Sequence, residues 1–450
     1  MTTEAGATPL SAHDDESRRL LPPVALPILW VAVLYLTMSG RWGSYLGIPG
    51  LPFYIGDIAL VAAAVQVALH VRRAELSLRD IGGLLARADL ALLLALTLMA
   101  WAGVRGVTGL GSLAEGPLLY LRDLAPFAYI LTALLAFVLP ADGGRRQGRL
   151  IYVALTLHVS WILLAGQLPG WPWDGPLLGG TPIFTARPDF DSAVAGAAVA
   201  LAVHDVLLGS RRRDVRTLVA TAAFVLANGA AVLSLQTRAG LLSGVVMVGA
   251  VLLVWVTRSR ITRAGRAGRV QRSAVLVAAL AVLSGVVALS PPGERLVQAV
   301  TGQESQALGT VQVREFAWTG VASYVVADAA RTAVGVGFGP DFIQDSGTAY
   351  SLEGTEYADV RSPHNYLIGS LARLGVAGAL LSLLTMGAAA VLGVRRLAGG
   401  TPDAPTVLAA LLVLGLPVTA LLGVVLESPF GAIPYFWAIG QLAACSRYQP

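Results

Sequence analysis

The sequence contains no lysine and a single cysteine, and charged residues make up only 13% of its 450 residues. A typical soluble domain has about 25% charged residues, so this composition argues against a soluble globular chain. The lone cysteine, Cys445, excludes a disulfide framework and a cysteine-based metal site. Hydrophobic residues make up 55% of the chain and the mean hydropathy is +0.68. These values indicate a polytopic membrane protein.

Long polar blocks are also missing. Apolar runs are spread from Leu20 to Ala444 with no long polar block between them, so we expect one integral domain. The net charge is +5 and the pI is about 9.5, a balance that could indicate nucleic-acid binding in a soluble protein. Here the basic residues lie between apolar runs, as topology determinants do, so no nucleic-acid partner is expected.

Twelve apolar runs are candidates for transmembrane helices, each of which needs about 20 residues. The sequence therefore predicts an all-α membrane bundle of about twelve helices. The runs are Leu21–Met38, Tyr54–His70, Leu90–Val104, Leu118–Leu139, Leu150–Leu168, Ala193–Leu208, Leu218–Leu235, Ala239–Val256, Ala274–Leu289, Tyr366–Leu392, Val407–Leu426 and Ile433–Ala444. No clear small-residue cleavage site follows the first run, so we expect a retained anchor and not a signal peptide.

The arginines predict the orientation of the helices. The connections alternate between two sides, and 22 arginines fall on one side against eight on the other. Short cytoplasmic loops carry the excess of basic residues, so the arginine-rich side and both termini are predicted to be cytoplasmic. Residues 1–20 then form a cytoplasmic tail, 21–289 hold helices 1–9, 290–365 form one large extracytoplasmic loop, and 366–450 hold helices 10–12.

The extracytoplasmic loop contains two recognisable local patterns. Apolar and small residues recur at helical spacing and predict an amphipathic helix on the membrane surface or on the bundle: Val313, Phe316, Ala317, Gly320, Val321 and Tyr324. The stretch VGVGFGP that follows is predicted to be a turn, because clustered Gly and Pro break regular structure. It resembles a phosphate-binding loop only superficially, since no strand precedes it and no lysine follows it.

Three polar residues on the predicted outer side are candidates for chemistry. Arg238 lies in a very short connection and Arg314 lies on the flank of the predicted amphipathic helix, and both could instead be charges at the lipid interface. His364 lies where a helix is predicted to begin. The helix dipole would keep its imidazole neutral, as a general base requires. The alternative role for His364 is a helix cap.

Several arginines beside a neutral histidine suit one type of substrate. One guanidinium group can bind two phosphate oxygens at once, and it stays charged at physiological pH. Arginines could therefore hold a diphosphate as it becomes a leaving group. The histidine would take the proton of an acceptor hydroxyl. Nucleotide sugars are absent outside the cell, so a glycosyl donor would arrive on a lipid. We expect no metal or other cofactor, because the arginines would stabilise the charge in its place.

The stretches LQTRAGLLSG, REFAW with VGVGFGP, and SPHNYLIGSLARLGVAG occur in that order, the last two in the large external loop. The sequence resembles the O-antigen ligase and lipid-linked polysaccharide polymerase superfamily in the order of these stretches, in their predicted side of the membrane and in their placement in the loop. The span pattern resembles the family over nearly the whole chain, while the motifs lie between Ser234 and Gly378. The turn reads Thr-Arg-Ala-Gly where the family often has Ser-Arg-Gly.

The resemblance implies a function and a set of site residues. It implies an extracytoplasmic, metal-independent and inverting glycosyltransferase with a GT-C-type bundle in the bacterial plasma membrane. Its donor would be a glycan on polyprenyl diphosphate, and its acceptor a glycan, lipid or protein. The family carries arginines like Arg238 and Arg314 and a His-Asn pair like His364 and Asn365. To Asn365 we add three further candidate substrate-binding residues: Arg361, Arg187 and Arg122.

Other interpretations stay open from the sequence. Asp57 and the pair Arg122 and Asp123 lie inside apolar runs, where charges are costly, and structural pairing is favoured over a donor groove. A secondary transporter of an anion or a lipid-linked sugar could also have twelve spans with charges, although no internal repeat is found. A non-catalytic scaffold would leave Arg238, Arg314 and His364 unexplained. Ligases and polymerases share this architecture and are not separated.

Overall fold

The computed structural model describes residues 26–38, 55–73, 82–83, 85–86, 88–139, 145–165, 177–178, 181–182, 187–209, 215–261, 305–349, 361–399 and 402–445. Within these ranges the fold is helical, apart from one antiparallel pair of two-residue strands, β1 (Leu177–Leu178) and β2 (Thr181–Pro182), in which Leu177 faces Pro182. The prediction of an all-α fold is confirmed for this part of the chain.

Sixteen α-helices are described. The helices before β1 are α1 (Leu26–Met38), α2 (Ile55–Arg73), α3 (Leu90–Thr108), α4 (Leu110–Glu115), α5 (Pro117–Ala128), α6 (Leu131–Val138) and α7 (Arg145–Ala165). Those after β2 are α8 (Pro188–Leu207), α9 (Val215–Ser234), α10 (Arg238–Ile261), α11 (Ser305–Val326), α12 (Ala329–Val334), α13 (Phe342–Asp345), α14 (Tyr366–Ala398), α15 (Ala404–Ala420) and α16 (Pro429–Ala444). A 3-10 turn, Val425–Glu427, lies between α15 and α16.

The helices coincide with the apolar runs. Eleven of the twelve runs match helices in the described ranges, and the run Ala274–Leu289 lies outside the described residues. By length and composition, seven helical segments of the described part are able to cross a membrane. Leucine-rich and valine-rich faces remain exposed on several of them, as expected for helices that contact lipid. The chain is therefore a membrane protein, and the count of twelve spans stays a prediction.

The centre of the bundle is formed by α8, α15 and α16, whose residues are almost all buried. Small residues allow the backbones to approach closely. A Cβ atom on Gly196 of α8 would lie 2.7 Å from Cα of Gly244 in α10, and one on Gly440 of α16 would meet the carbonyl group of Ala133 in α6. Such contacts between small residues are typical of helices that pack within a membrane.

The contacts at one end of the bundle agree with the predicted alternation. Arg258 donates to the carbonyl oxygen of Ala398 at 2.7 Å, and Arg396 lies 3.6 Å from the carboxylate of Asp89. All four residues belong to segments predicted to share the basic side. The opposite end contains the candidate site residues described below. Which of the two ends faces the cytoplasm stays a prediction.

Helix α14 is not a single straight rod. Gly375 has φ 68° and ψ −169°, and it divides α14 into a short arm, residues 366–374, and a long arm, residues 376–398. Two residues 12 apart in a straight helix would be separated by about 18 Å. Instead the hydroxyl of Ser382 donates to that of Ser370 at 3.2 Å. The chain therefore folds back sharply at Gly375, which the prediction of one span over Tyr366–Leu392 did not include.

The glycine-rich turn packs against this break. The backbone N–H groups of Val336 and Gly337 donate to the carbonyl oxygens of Ala372 and Arg373 at 2.7 and 3.1 Å. The indole N–H of Trp101 donates to Leu374 at 3.0 Å. Three carbonyl groups freed by the break are thereby satisfied, as burial requires. The turn prediction is confirmed.

Glycine is required where the turn and the break touch. Gly335 and Gly375 both have positive φ, of 73° and 68°. A Cβ atom on Gly335 would lie 2.4 Å from the carbonyl carbon of Arg373, and one on Gly375 would lie 2.4 Å from the carbonyl oxygen of Ala333. Arg105 in α3 donates to the carbonyl oxygen of Gly335 at 3.3 Å.

The helix predicted in the external loop is present as α11. Within its predicted apolar stripe, Ala317 and Val321 are buried and Phe316 is 52% exposed. Val325, one turn after Val321, is fully buried against the bundle. The side chain of Val313 lies outside the described residues. Helix α11 therefore packs on the bundle through part of the predicted stripe.

Candidate functional site

Helix α11 connects two parts of the candidate site. Nη1 of Arg314 donates to the carbonyl oxygen of Leu422 at 2.8 Å, just before the 3-10 turn. One helical turn further on, the indole N–H of Trp318 donates to the carbonyl oxygen of Pro363 at 2.6 Å. Because Pro363 precedes His364, the same helix carries Arg314 and contacts residues 361–365, which we name the histidine segment.

The short connection between α9 and α10 is present and has three residues, and Arg238, predicted to lie within it, is the first residue of α10. Within that connection Gln236 has a left-handed backbone, with φ 52°. The hydroxyl of Thr237 lies 3.4 Å from the carbonyl oxygen of Pro188 and also hydrogen bonds to Asp189. The N-terminal ends of α8 and α10 therefore lie side by side at the site.

Asp189 links the segments that contain Arg238 and Arg314, which we name the arginine segments. Besides its hydrogen bond to Thr237, it lies within electrostatic range of Arg314. A Cβ atom on Gly423, next to the carbonyl that Arg314 contacts, would lie 3.2 Å from Oδ2 of Asp189. Thr237, which precedes Arg238, therefore lies close to the Asp189 carboxylate. The contact between Arg314 and Leu422 lies at the same place.

Asp189, Phe190 and Asp191 form an Asp-x-Asp sequence at the start of α8, which sequence reasoning overlooked when it took this side to hold no such pair. The two carboxylates have different partners. Asp191 accepts from the backbone N–H of Arg187 at 2.7 Å and lies 3.6 Å from Nε2 of the buried His158. Within the described ranges, no group of three or more His, Cys, Asp or Glu side chains could hold a metal ion.

Arg187 lies at the same end of the bundle. Its guanidinium carbon is 4.3 Å from the centroid of the Phe430 ring at the start of α16, a cation–π contact. This contact places Arg187 beside the segment that follows the 3-10 turn. Arg187 is therefore a neighbour of the arginine segments, as a substrate-binding residue would be, and its role stays a prediction.

His364 lies in an unusual backbone conformation at the start of α14. Its φ is 52°, in the left-handed region that residues other than glycine rarely adopt. The helix cap is Asn365, whose side-chain oxygen accepts from the N–H groups of Leu367 and Ile368 at 3.0 and 3.2 Å. The alternative role of His364 as the cap is therefore wrong. The cap also occupies the amide oxygen of Asn365, which we had assigned to substrate.

A buried network of charges, which we name the Asp123 network, lies beneath the histidine segment. It comprises Asp123, Asp341, Ser362, Glu427 and the two arginines Arg361 and Arg373. Asp123 lies 3.4 Å from Arg373 and 3.7 Å from Arg361. Asp123 and Arg373 expose only 5% and 8% of their side chains. Charges that are this deeply buried require partners of opposite sign.

The second half of the network surrounds Glu427. Nη1 of Arg373 lies 3.3 Å from one carboxylate oxygen of Glu427, and the hydroxyl of Ser362 donates to the other at 2.9 Å. Burial raises the pKa of the Glu427 carboxyl, and the charge of Arg373 opposes that rise. The short arm, the 3-10 turn and the segment before His364 are therefore joined through one carboxylate.

Arg361 is held by protein groups. It lies 3.0 Å from the carboxylate of Asp341 and donates to the carbonyl oxygen of Gly339 at 2.8 Å. Asp123 also accepts from the N–H of Gly339 at 3.1 Å. These contacts anchor the glycine-rich turn to the histidine segment. They support a structural role for Arg361, whereas its predicted role in substrate binding is untested.

Structural pairing of Asp123 was predicted correctly, but its partners were not. Asp123 pairs with Arg361 and Arg373, far along the chain, and its neighbour Arg122 is exposed. The side chain of Asp57 lies outside the described residues. Sequence reasoning also overlooked Glu427 and Arg373. The available signal was that each is a charge within or beside an apolar run, where an unpaired charge is costly.

The chain is similar to a known protein family over part of its length. The protein-family model described as O-Antigen ligase matches residues 222–383, which contain Arg238, Arg314 and His364. No curated protein matches the sequence. The match confirms the resemblance seen in the motifs. Residues 222–383 of the chain are therefore similar to the O-antigen ligase family.

Proposed function

We propose that this protein is an extracytoplasmic glycosyltransferase that moves a glycan from a polyprenyl diphosphate to an acceptor hydroxyl. One observation carries the proposal: the segments of Arg238, Arg314 and His364 meet at one end of the bundle, inside the segment that matches the O-antigen ligase family. The acceptor is a glycan, a lipid or a protein, and the membrane is the bacterial plasma membrane.

The three residues divide the reaction between them. The acceptor oxygen attacks the anomeric carbon, its O–H proton passes to His364, and the bond from that carbon to the diphosphate oxygen breaks. Arg238 and Arg314 stabilise the negative charge that the departing diphosphate gains. Attack from the side opposite the leaving group inverts the anomeric carbon. No metal is needed for this charge balance, since two guanidinium groups match the diphosphate.

One observation favours a transporter instead. Broken helices like α14 are typical of secondary transporters, in which freed backbone carbonyl groups coordinate ions. In this protein, however, the carbonyl oxygens of Ala372, Arg373 and Leu374 already accept from Val336, Gly337 and Trp101. The break is therefore filled by protein donors, which supports the enzyme over the transporter.

The direct test uses purified protein in lipid nanodiscs with a lipid-linked glycan donor, a hydroxyl acceptor and EDTA. Transfer of the glycan without an ion gradient is the expected result. Failure of transfer, together with ion-driven uptake of the donor or of an anion into proteoliposomes, would support the transporter instead. In cells, accumulated single repeats on deletion would indicate a lost polymerase, and accumulated full-length chains a lost ligase.

The predicted orientation has a separate test. In a Cys445→Ser background, a cysteine at the exposed position Gln344 should react with a membrane-impermeant thiol reagent in intact cells. A cysteine at the exposed position Arg149 should react only after lysis. The reverse labelling pattern would put the candidate site in the cytoplasm, where the proposed lipid-linked donor would lose its rationale.

A further inference from the structure

A buried carboxylate lies close to the proposed base. Glu427, in the 3-10 turn before α16, accepts from the hydroxyl of Ser362 at 2.9 Å. The oxygen of that hydroxyl in turn accepts from the backbone N–H of His364 at 3.3 Å. Two hydrogen bonds therefore connect Glu427 to the backbone of His364, although 63 positions separate them in the sequence.

Glu427 is itself held in place. Its carboxylate is 10% exposed and lies 3.3 Å from Arg373, which is anchored by Asp123. A Cβ atom on Gly369 in the short arm would lie 2.9 Å from Oε1 of Glu427, so the carboxylate fits tightly against the helix backbone. Because each partner of Glu427 is fixed, the position of Ser362 is fixed as well.

The backbone of His364 requires such support. A left-handed conformation in a residue other than glycine costs of order 1–3 kcal/mol and persists only when surrounding contacts enforce it. The described contacts on the preceding residues include the Ser362 bond to Glu427 and the Trp318 bond to Pro363. They approach the segment from different elements, the 3-10 turn and α11, and together fix its course.

We propose that Glu427 is a positioning residue that acts through Ser362 to hold His364 in its left-handed conformation beside the arginine segments. The inference rests on the proposed function, because it presumes that His364 is the base. Among the described contacts of Glu427, none reaches His364 directly. Its effect should therefore appear in the rate of transfer and not in the affinity for the donor.

The test compares Ser362→Ala, Ser362→Thr, Glu427→Gln and the double variant Ser362→Ala/Glu427→Gln in purified full-length protein. Displacement of a reacting group by about 1 Å can cost about 10²-fold in rate. We therefore expect Ser362→Ala to lower kcat by about 10²-fold with little change in the donor KM, and Ser362→Thr to restore most of it. Residues that act as one unit are non-additive, so the double variant should lose no more than about the larger single loss.

Ser346→Ala is the matched control. Ser346 lies in the same external segment and donates to Ile343 at 3.0 Å, but no described contact links it to His364. Its kcat should equal that of the unmodified protein. Thermal midpoints measured for all variants separate a loss of fold from a loss of positioning.

A second readout does not depend on activity. Amide hydrogen exchange of residues 361–368 should become faster in Ser362→Ala and Glu427→Gln but not in Ser346→Ala. Unchanged exchange with unchanged kcat in Ser362→Ala would overturn the proposal, as would additive losses in the double variant. If the unmodified protein transfers no glycan, the proposed function fails, and exchange alone then decides whether Glu427 holds the segment.

Discussion

Two groups of arginines lie at the same end of the bundle and differ in what they contact. Arg361 and Arg373 each lie within 3.7 Å of two carboxylates, those of Asp123 and of Asp341 or Glu427. Arg314 donates to a neutral backbone carbonyl and interacts electrostatically with the carboxylate of Asp189. The first group has its charge matched inside the protein, as buried structural arginines must.

The difference separates two uses of the same side chain. A guanidinium balanced by two carboxylates has little attraction left for an anionic ligand. The proposed function puts the diphosphate with Arg238 and Arg314 instead, and gives the Asp123 network a structural role. Our sequence analysis had placed Arg361 with the ligand, because sequence position gave no information on its partners.

The largest expected effect comes from His364, the proposed base. His364→Asn is the sharpest variant, because asparagine tolerates a left-handed backbone but cannot take a proton at neutral pH. General-base assistance is worth about 10² to 10⁴ in rate, so transfer should fall by that factor. Donor binding and the thermal midpoint should stay unchanged. Near-normal transfer by His364→Asn would remove the base from the mechanism.

Arg373→Met tests the structural group. Removing one partner from a buried ion pair destabilises a protein by about 3–5 kcal/mol, because the remaining charge is left uncompensated. Asp123 and Glu427 would both lose their shared partner, so the thermal midpoint and the yield should fall strongly. Arg331→Met, on a side chain that is 30% exposed, is the control and should change little. A stable Arg373→Met protein would contradict the structural assignment.

Arg314→Lys and Arg238→Lys test the ligand-binding group. Lysine keeps the charge but not the planar pair of donors, so bidentate binding of the diphosphate oxygens is lost. Loss of one donor that stabilises developing charge typically costs about 10²-fold in kcat. We expect that loss with normal folding, measured by transfer rate and thermal midpoint side by side. Full activity in both variants would make these residues simple interface charges.

The smallest effect is expected at Asn365, which the structure assigns to capping. Asn365→Ala should cost about 1 kcal/mol in stability, and Asn365→Ser or Asn365→Asp should restore it, because all three polar residues cap helices well. Transfer by the Ser and Asp variants should be close to normal. Strongly reduced transfer by a stable Asn365→Ser protein would return Asn365 to the substrate-binding residues.

Much of the fold was predictable because apolar runs are strong local signals. The helices predicted to start at Leu90, Leu218 and Ala239 begin within a few residues of those positions. The fold-back at Gly375 was not predictable, since an isolated glycine in an apolar run is usually tolerated inside a helix. Its cause is the contact with Gly335, 40 residues earlier, which no local pattern encodes.

The site was predictable only in part, for the same physical reason. Arg238, Arg314 and His364 could be selected because each lies next to a recognisable motif. The pairing of Asp123 with Arg373 joins residues 250 positions apart, and Glu427 lies in a turn of three residues. Helical spacing predicted which residues of α11 share a face, but not which of them pack on the bundle, as Ala317 does, and which stay exposed, as Phe316 does.

The fold-back of α14 has a consequence for how the protein is made. The short arm carries Arg373, whose partner Glu427 lies 54 residues later and leaves the ribosome after it. While α15 and the 3-10 turn are still being synthesised, the short arm lacks this partner and cannot dock fully. We therefore expect the long arm to enter the bilayer first and the histidine segment to take its final place among the last steps of biogenesis. Nascent chains stopped before residue 427 would then be inserted but inactive.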